Sequence, residues 1–254
     1  SSGSYGSTIN ADDGANERDF LVYTATEQGD TIVVQGGAAT RQVNFVINGA
    51  TLRTFGLDDA SLDAGQGADA ITIYDIAGKG LASLTVDFGK RTTTNGTRID
   101  KVDMDDDPAT TDDIRDVVVP NLVAFDDNAA DSLVVYGSSG NDRFLLTPEN
   151  PTSTTKRYQD VRVNRQAAYD ISVTNSVRAE GDRLSIMAEG GDDLINASAL
   201  GAVEAGYTVA DSVAMTLVGG EGNDEIVGSP FADVINSGLG NDTVTGGLGR
   251  DTFI

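Results

Sequence analysis

GGEGNDEIV, GSPFADVIN, SGLGNDTVT and GGLGRDTFI, read in order over residues 219–254, are one nine-residue pattern written four times. An aspartate holds the sixth place each time: Asp224, Asp233, Asp242, Asp251. A bulky apolar residue follows two places later: Ile226, Ile235, Val244, Phe253. A glycine-rich hexapeptide turns sharply and lets its carbonyls approach a cation. The short strand after it then sends one side chain inward and its neighbours outward. Ile226, Ile235, Val244 and Phe253 are therefore expected inside as the only core of this region, with Thr243 and Thr245 facing solvent. The pattern specifies a shape and a ligand together.

These nonapeptides resemble the hemolysin-type calcium-binding (RTX) repeat. The resemblance implies a parallel β-roll in which two nonapeptides make one turn, so that equivalent loops stack every 18 residues. Asp224 and Asp242 would share one side, and Asp233 and Asp251 the other. It also implies one calcium ion between each stacked pair, held by aspartate carboxylates and glycine-loop carbonyls. The glycines at the matching places are Gly219, Gly220 and Gly222, then Gly238 and Gly240, then Gly246, Gly247 and Gly249. The second nonapeptide departs, with Ser229, Pro230 and Phe231 at the second to fourth places of its loop. Asp242 is accordingly expected to matter more for calcium than Asp233.

The aspartate–apolar signature recurs upstream in weaker form. AGQGADAI (64–71) carries Asp69, GSSGNDRF (137–144) carries Asp142, and EGGDDLI (189–195) carries Asp193. These three aspartates are further candidate metal ligands, grouped with Asp224. Alternating strands precede them in DSLVVYG (131–137), DRLSIMAEGG (182–191) and DSVAMTLVGG (211–220). The shared unit is an aspartate, an alternating strand, a glycine turn, a second aspartate and a short strand. Period-two alternation also predicts strands over 20–23, 31–34, 43–47, 70–74 and 83–88. Helical periodicity is nearly absent, with room for a turn or two over 112–118 and 198–205.

Three segments stand outside this scheme. VDMDDDPATTDD (102–113) holds six aspartates. It resembles the first half of an EF-hand loop but has Pro108 where that loop needs glycine, and it lacks the closing glutamate. It reads as a solvated acidic loop, with a separate calcium site as the alternative. TPENPTSTTK (147–156) reads as an exposed loop. Arg143, Lys156, Arg157, Arg162 and Arg165 form a local basic cluster, read as internal charge balance or as an anion or glycan contact.

Charge narrows the function classes. The 254 residues hold 17 Lys+Arg against 40 Asp+Glu, a net charge of −23. Such a surface repels nucleic acid and anionic membranes and attracts cations. No apolar run is long enough to span a membrane as a helix. Cysteine is absent, so stability must come from packing and metal rather than disulfides. Histidine is absent as well, which removes Ser-His-Asp hydrolysis and HExxH zinc chemistry from this chain. Residues 1–8 are Gly/Ser-rich and read as a linker or fragment edge. Phe253 is an inward-type residue with no polar cap after it, so a longer protein or a stacked partner is expected at that end.

The sequence thus predicts an all-β protein: an elongated parallel β-solenoid ending in an RTX-type calcium β-roll. A β-sandwich remains the alternative for the N-terminal half. The expected division is a β-rich region over 1–128, an irregular solenoid over 129–218 and the nonapeptide roll over 219–254. The expected function is non-enzymatic: a calcium-folded structural or adhesive region of a secreted or cell-surface bacterial protein. The alternatives are a self-assembling surface-layer or filament subunit, and an accessory region of a secreted polysaccharide-acting enzyme. Calcium ions are the expected partner, with surface glycans or like subunits as further candidates and neither nucleic acid nor membrane insertion.

Overall fold

The computed structural model describes residues 6–10, 19–26, 28–88, 91–92, 124–125, 129–149, 158–166, 168–174, 176, 178, 181–201 and 211–254. The acidic loop 102–113, the segment 112–118, residues 202–205, Lys156 and Arg157 lie outside the described residues.

The described residues are strands joined by turns. The first eight strands are β1 (Gly6–Asn10), β2 (Phe20–Thr24), β3 (Thr31–Gly36), β4 (Gln42–Ile47), β5 (Ala50–Phe55), β6 (Asp59–Asp63), β7 (Ala70–Ile73) and β8 (Ser83–Asp87). Next come β9 (Arg91–Thr92), β10 (Ala124–Phe125), β11 (Ser132–Tyr136), β12 (Arg143–Glu149), β13 (Tyr158–Arg165) and β14 (Tyr169–Thr174). The chain closes with β15 (Arg183–Gly190), β16 (Leu194–Asn196), β17 (Asp211–Ser212), β18 (Ala214–Glu221), β19 (Glu225–Val227), β20 (Asp233–Leu239), β21 (Thr243–Thr245) and β22 (Thr252–Phe253). The all-β expectation holds. Among the described residues no helix is long and apolar enough to cross a membrane.

Two large mixed sheets carry the fold, and neither closes on itself. The first has the order β1-β2-β6-β8-β14-β13-β12-β16-β19-β21, with β17 paired to β13. The second has the order β22-β20-β18-β15-β11-β7-β3-β4-β5. From β14 onward the main strands alternate between them: β15, β18, β20 and β22 in one, β16, β19 and β21 in the other. From β3 to β22 every pairing in the second sheet is parallel. The antiparallel exceptions are the β3-β4-β5 edge, the β1-β2 pair and the β12-β13-β14 meander inside the first sheet.

Alternation in sequence becomes alternation in burial. Parallel register lines up Val34, Ile73, Val135, Ile186, Leu217 and Ile235 across the second sheet, all nearly or fully buried. Phe144, Ile195 and Ile226 line up across the first sheet and are also buried. These rows meet in one apolar core that takes residues from both sheets. Each fully buried aliphatic side chain contributes about 1.5–3 kcal/mol relative to exposure.

Two expectations need correction. Thr147, Pro148 and Glu149 are strand rather than loop, paired with Arg162, Val161 and Asp160 of β13. Pro148 is tolerated because β16 pairs only with residues 143–145, so among the described residues no strand pairs with β12 on that side there. The four inward residues of the nonapeptides are also unequal. Ile226 and Ile235 are buried, Val244 is half-buried, and Phe253 on the edge strand β22 is 60% exposed. Nor are they the only core of this region, since Met215 and Leu217 of β18 are buried beside them.

Candidate metal centre

Parallel register stacks the loops as well as the strands. Asp142, Asp193, Asp224 and Asp242 each stand immediately before a strand of the first sheet: β12, β16, β19 and β21. The backbone N–H of each donates to the carboxylate Oδ1 of the next. The distances are 2.7 Å from Asp142 to Asp193, 2.9 Å from Asp193 to Asp224 and 3.0 Å from Asp224 to Asp242. One column of carboxylates results. Asp233 and Asp251 form a second at the start of β20 and β22, with the Asp233 N–H donating to Asp251 Oδ1 at 3.1 Å.

Asp69 does not join the Asp142 column. It belongs to a third one, where Asp30, Asp69, Asp131 and Asp182 precede β3, β7, β11 and β15 of the second sheet. Their N–H groups donate to the next carboxylate at 2.6, 2.7 and 3.0 Å. The grouping of Asp69 with Asp142 and Asp193 fails because a glycine turn before an aspartate looks alike on either side of the molecule. Only the pairing of the following strand separates them.

A further column escaped the sequence reading. Beside the aspartates run Asn141, Asp192, Asn223 and Asn241. The Asp192 N–H donates to Asn141 Oδ1 at 3.0 Å, Asn223 N–H to Asp192 Oδ1 at 2.8 Å and Asn241 N–H to Asn223 Oδ1 at 3.0 Å. These bonds run opposite to those of the aspartate column, so each loop is tied to its neighbour in both directions. The signal was present as the repeated Asn-Asp or Asp-Asp pair.

The glycines let these loops approach closely. Gly222 and Gly240 have φ of 137° and 146°, which only glycine adopts readily. A Cβ on Gly240 would stand 1.6 Å from the Gly222 carbonyl oxygen, and one on Gly222 would stand 1.9 Å from that of Gly191. Gly220 and Gly238 stack in the same way on the carbonyls of Glu189 and Gly220. In the last nonapeptide Gly247 stands against the Ser229 carbonyl and Gly249 against Phe231. Gly219 and Gly246 make room for a carboxylate. A Cβ on either would fall 2.3 Å from Oδ2 of Asp224 or Asp251 respectively.

The second oxygen of five of these aspartates separates two kinds of loop. Asp30 Oδ2 accepts the N–H and the hydroxyl of Thr26, four residues back, at 2.7 and 2.8 Å. Asp142 Oδ2 accepts the Ser138 N–H at 2.5 Å. Asp233 Oδ2 accepts the Ser229 N–H and hydroxyl at 2.6 and 2.9 Å. These loops close on themselves. At the same place before Asp193 and Asp224 stand Glu189 and Gly220, both at positive φ. There Oδ2 of Asp193 and of Asp224 is buried with no hydrogen-bond partner. A buried carboxylate oxygen left this way is costly, and a bound cation would relieve it.

Electrostatics tell the same story. Burial pushes the Asp193 carboxyl up to about 7, against the pull of the Asp142 N–H and with the push of the Asp224 and Asp142 charges. Burial likewise raises Asp224, opposed by the Asp193 N–H and reinforced by Asp242. Asp233 is raised by burial too, but the Ser229 N–H and hydroxyl pull it back. Among the described residues no three carboxylates converge on one point. A cation here would take most of its oxygens from backbone carbonyls, which suits calcium. The residues therefore fit a calcium ion best between loops 189–193, 220–224 and 238–242.

Residues 218–253 match the RTX calcium-binding nonapeptide repeat in four copies. Neither curated proteins nor solved structures yield a match to the chain. The chain carries RTX repeats over this stretch, their ligand is calcium, and the repeat is structural rather than catalytic.

Proposed function

We propose that this calcium-binding RTX chain is a folding switch: a structural or adhesive region of a secreted or cell-surface bacterial protein that orders its C-terminal coils on meeting calcium. The observation that carries the reading is the pair of buried, unpartnered oxygens on Asp193 and Asp224, set in loops where Gly191, Gly219, Gly220 and Gly222 leave no room for a side chain. Stacked carboxylates repel, and glycine-rich loops have high chain entropy, so these coils are poorly ordered alone. Bound calcium supplies positive charge and a centre for loop carbonyls, so its binding energy becomes folding energy. A calcium-poor cytoplasm would keep the chain unfolded for export, and a calcium-rich exterior would fold it.

In this reading the alternation of β14 to β22 between the sheets makes a parallel β-solenoid whose last coils, 219–254, are the roll. The irregular coils span 129–218. The described strands within 1–128 join the same stack, supported by the parallel register of β3, β7 and β11. The ligand residues are Asp193, Asp224 and Asp242 with the carbonyls of their loops, and Asp251 with those of Gly246, Gly247 and Gly249. Assembly with like subunits is a second reading. Leu239, Leu248, Phe253 and Ile254, 60–77% exposed, are the apolar side chains that such a contact would cover.

Circular dichroism of the full chain, titrated with calcium and then with chelator, tests the switch. Reversible β-signal should appear with an affinity roughly in the 10⁻⁴–10⁻³ M range of extracellular modules. A spectrum unchanged in excess chelator would refute it.

A further inference from the structure

Among the described residues, Arg165 is the cation that the chain itself places on the Asp142 column. It is the last residue of β13 and only 6% exposed. Register places it between Phe144 of β12 and Tyr169 of β14, both buried. Its guanidinium carbon lies 5.9 Å from the Phe144 ring centre and 5.8 Å from that of Tyr169. The guanidinium donates to Asp142 Oδ1 and stands 3.4 Å from Asp75 Oδ1. A charge so buried is stable only when paired.

The bond falls at a defined place in the column. In Asp193, Asp224 and Asp242, Oδ1 accepts the N–H of the aspartate one coil earlier. Asp142 begins the column, because the β12-β13-β14 meander interrupts the parallel run there. Its Oδ1 takes Arg165 instead, and its Oδ2 takes the Ser138 N–H. Both oxygens are satisfied by protein, unlike those of Asp193 and Asp224.

We propose that Arg165 is a built-in counter-ion that closes the carboxylate column at Asp142, so that β11 to β14 hold their structure without metal and the calcium requirement starts one coil later, at Asp193. This rests on the calcium switch above and adds where the switch begins. The meander is then a permanent template, and the coils from β16 onward order against it.

Hydrogen exchange of the full chain, read by mass spectrometry in chelator and in calcium, tests this. In chelator the wild type should protect β11 to β14 and leave 214–245 exchanging freely. Arg165→Met keeps the volume and the aromatic contacts but removes the charge. It should lower protection of β11 to β14 in chelator by about a hundredfold, as for a broken buried ion pair. Adding Asp142→Asn removes the stranded charge and should restore most of that protection. The proposal is overturned if Arg165→Met leaves protection unchanged, if the double variant is no better than the single one, or if wild-type β11 to β14 exchange freely in chelator. Protection of 214–245 in chelator would instead sink the calcium switch and leave the Arg165 comparison readable.

Discussion

Asp233 and Asp242 hold the same place in the nonapeptide, yet their surroundings give them different work. Ser229 donates both its N–H and its hydroxyl to Asp233, so that carboxylate is occupied before any metal arrives. The Asp242 loop has Gly238 at the equivalent place, at φ 94°, and no hydroxyl there. Asp242 also receives the N–H of Asp224 and so orients the neighbouring loop. Asp242→Ala should lower calcium affinity by about tenfold or more, through loss of ligand charge and loop order. Asp233→Ala should change affinity far less and act mainly on stability. Calorimetric titration of both variants decides this, and equal losses would mean that the Ser229 loop binds calcium like the others. The sequence already set this loop apart by Ser229, Pro230 and Phe231. That the serine substitutes for a ligand was visible only in the folded loop.

At the scale of elements, each nonapeptide strand is three residues or fewer on the first sheet, too short to be stable alone. Its order comes from the row it joins. Ile226 pairs with Ile195 on one side and Val244 on the other and is fully buried. Thr243 and Thr245 face outward and are exposed. Ile226→Asp should forfeit about 1.5–3 kcal/mol of apolar burial and add an unpaired buried charge. Calcium-induced order of 214–254 should then be lost although every ligand remains. Thr243→Lys should fold normally. Exchange protection of the last coils in calcium checks the pair, and the reverse pattern would show that inside and outside are exchanged. The strand positions were legible because alternation survives in sequence. The role of β12-β13-β14 was not, since nothing in TPENPTSTTK marks where a meander enters a parallel sheet.

For the whole molecule, the columns couple stability to pH in opposite senses with and without metal. The folded Asp193 carboxyl sits at about 7, above the unfolded value of about 3.9. A raised carboxyl contributes stability fully present below the unfolded value and lost as pH rises through the folded one. In chelator, the C-terminal coils should therefore be more stable at pH 5 than at pH 8, with the change falling between about 4 and 7. In calcium the sign reverses, because the metal needs the ionised carboxylate and protons compete below about 7. The residual β-signal of these coils in chelator and their calcium affinity, each read at both pH values, measure the two slopes. Asp193→Asn should flatten the slope in chelator, separating this column from the general repulsion of a chain with net charge −23. A slope unchanged by that substitution would place the pH effect elsewhere.

The sequence by itself determined the repeat, the cation it binds and the faces of most strands. Those properties depend on residues nine or eighteen apart and on alternation, and both are written along the chain. Tertiary structure alone decided which loops stack. It moved Asp69 onto the column of Asp30, Asp131 and Asp182, where spacings of 39, 62 and 51 residues hide the repeat. It likewise brought Arg165 back onto Asp142 through an antiparallel turn of strand, 23 residues on. Insertions between coils lengthen the chain without moving the rungs, so sequence distance stops reporting spatial distance. Only the backbone pairing between sheets restores the correspondence.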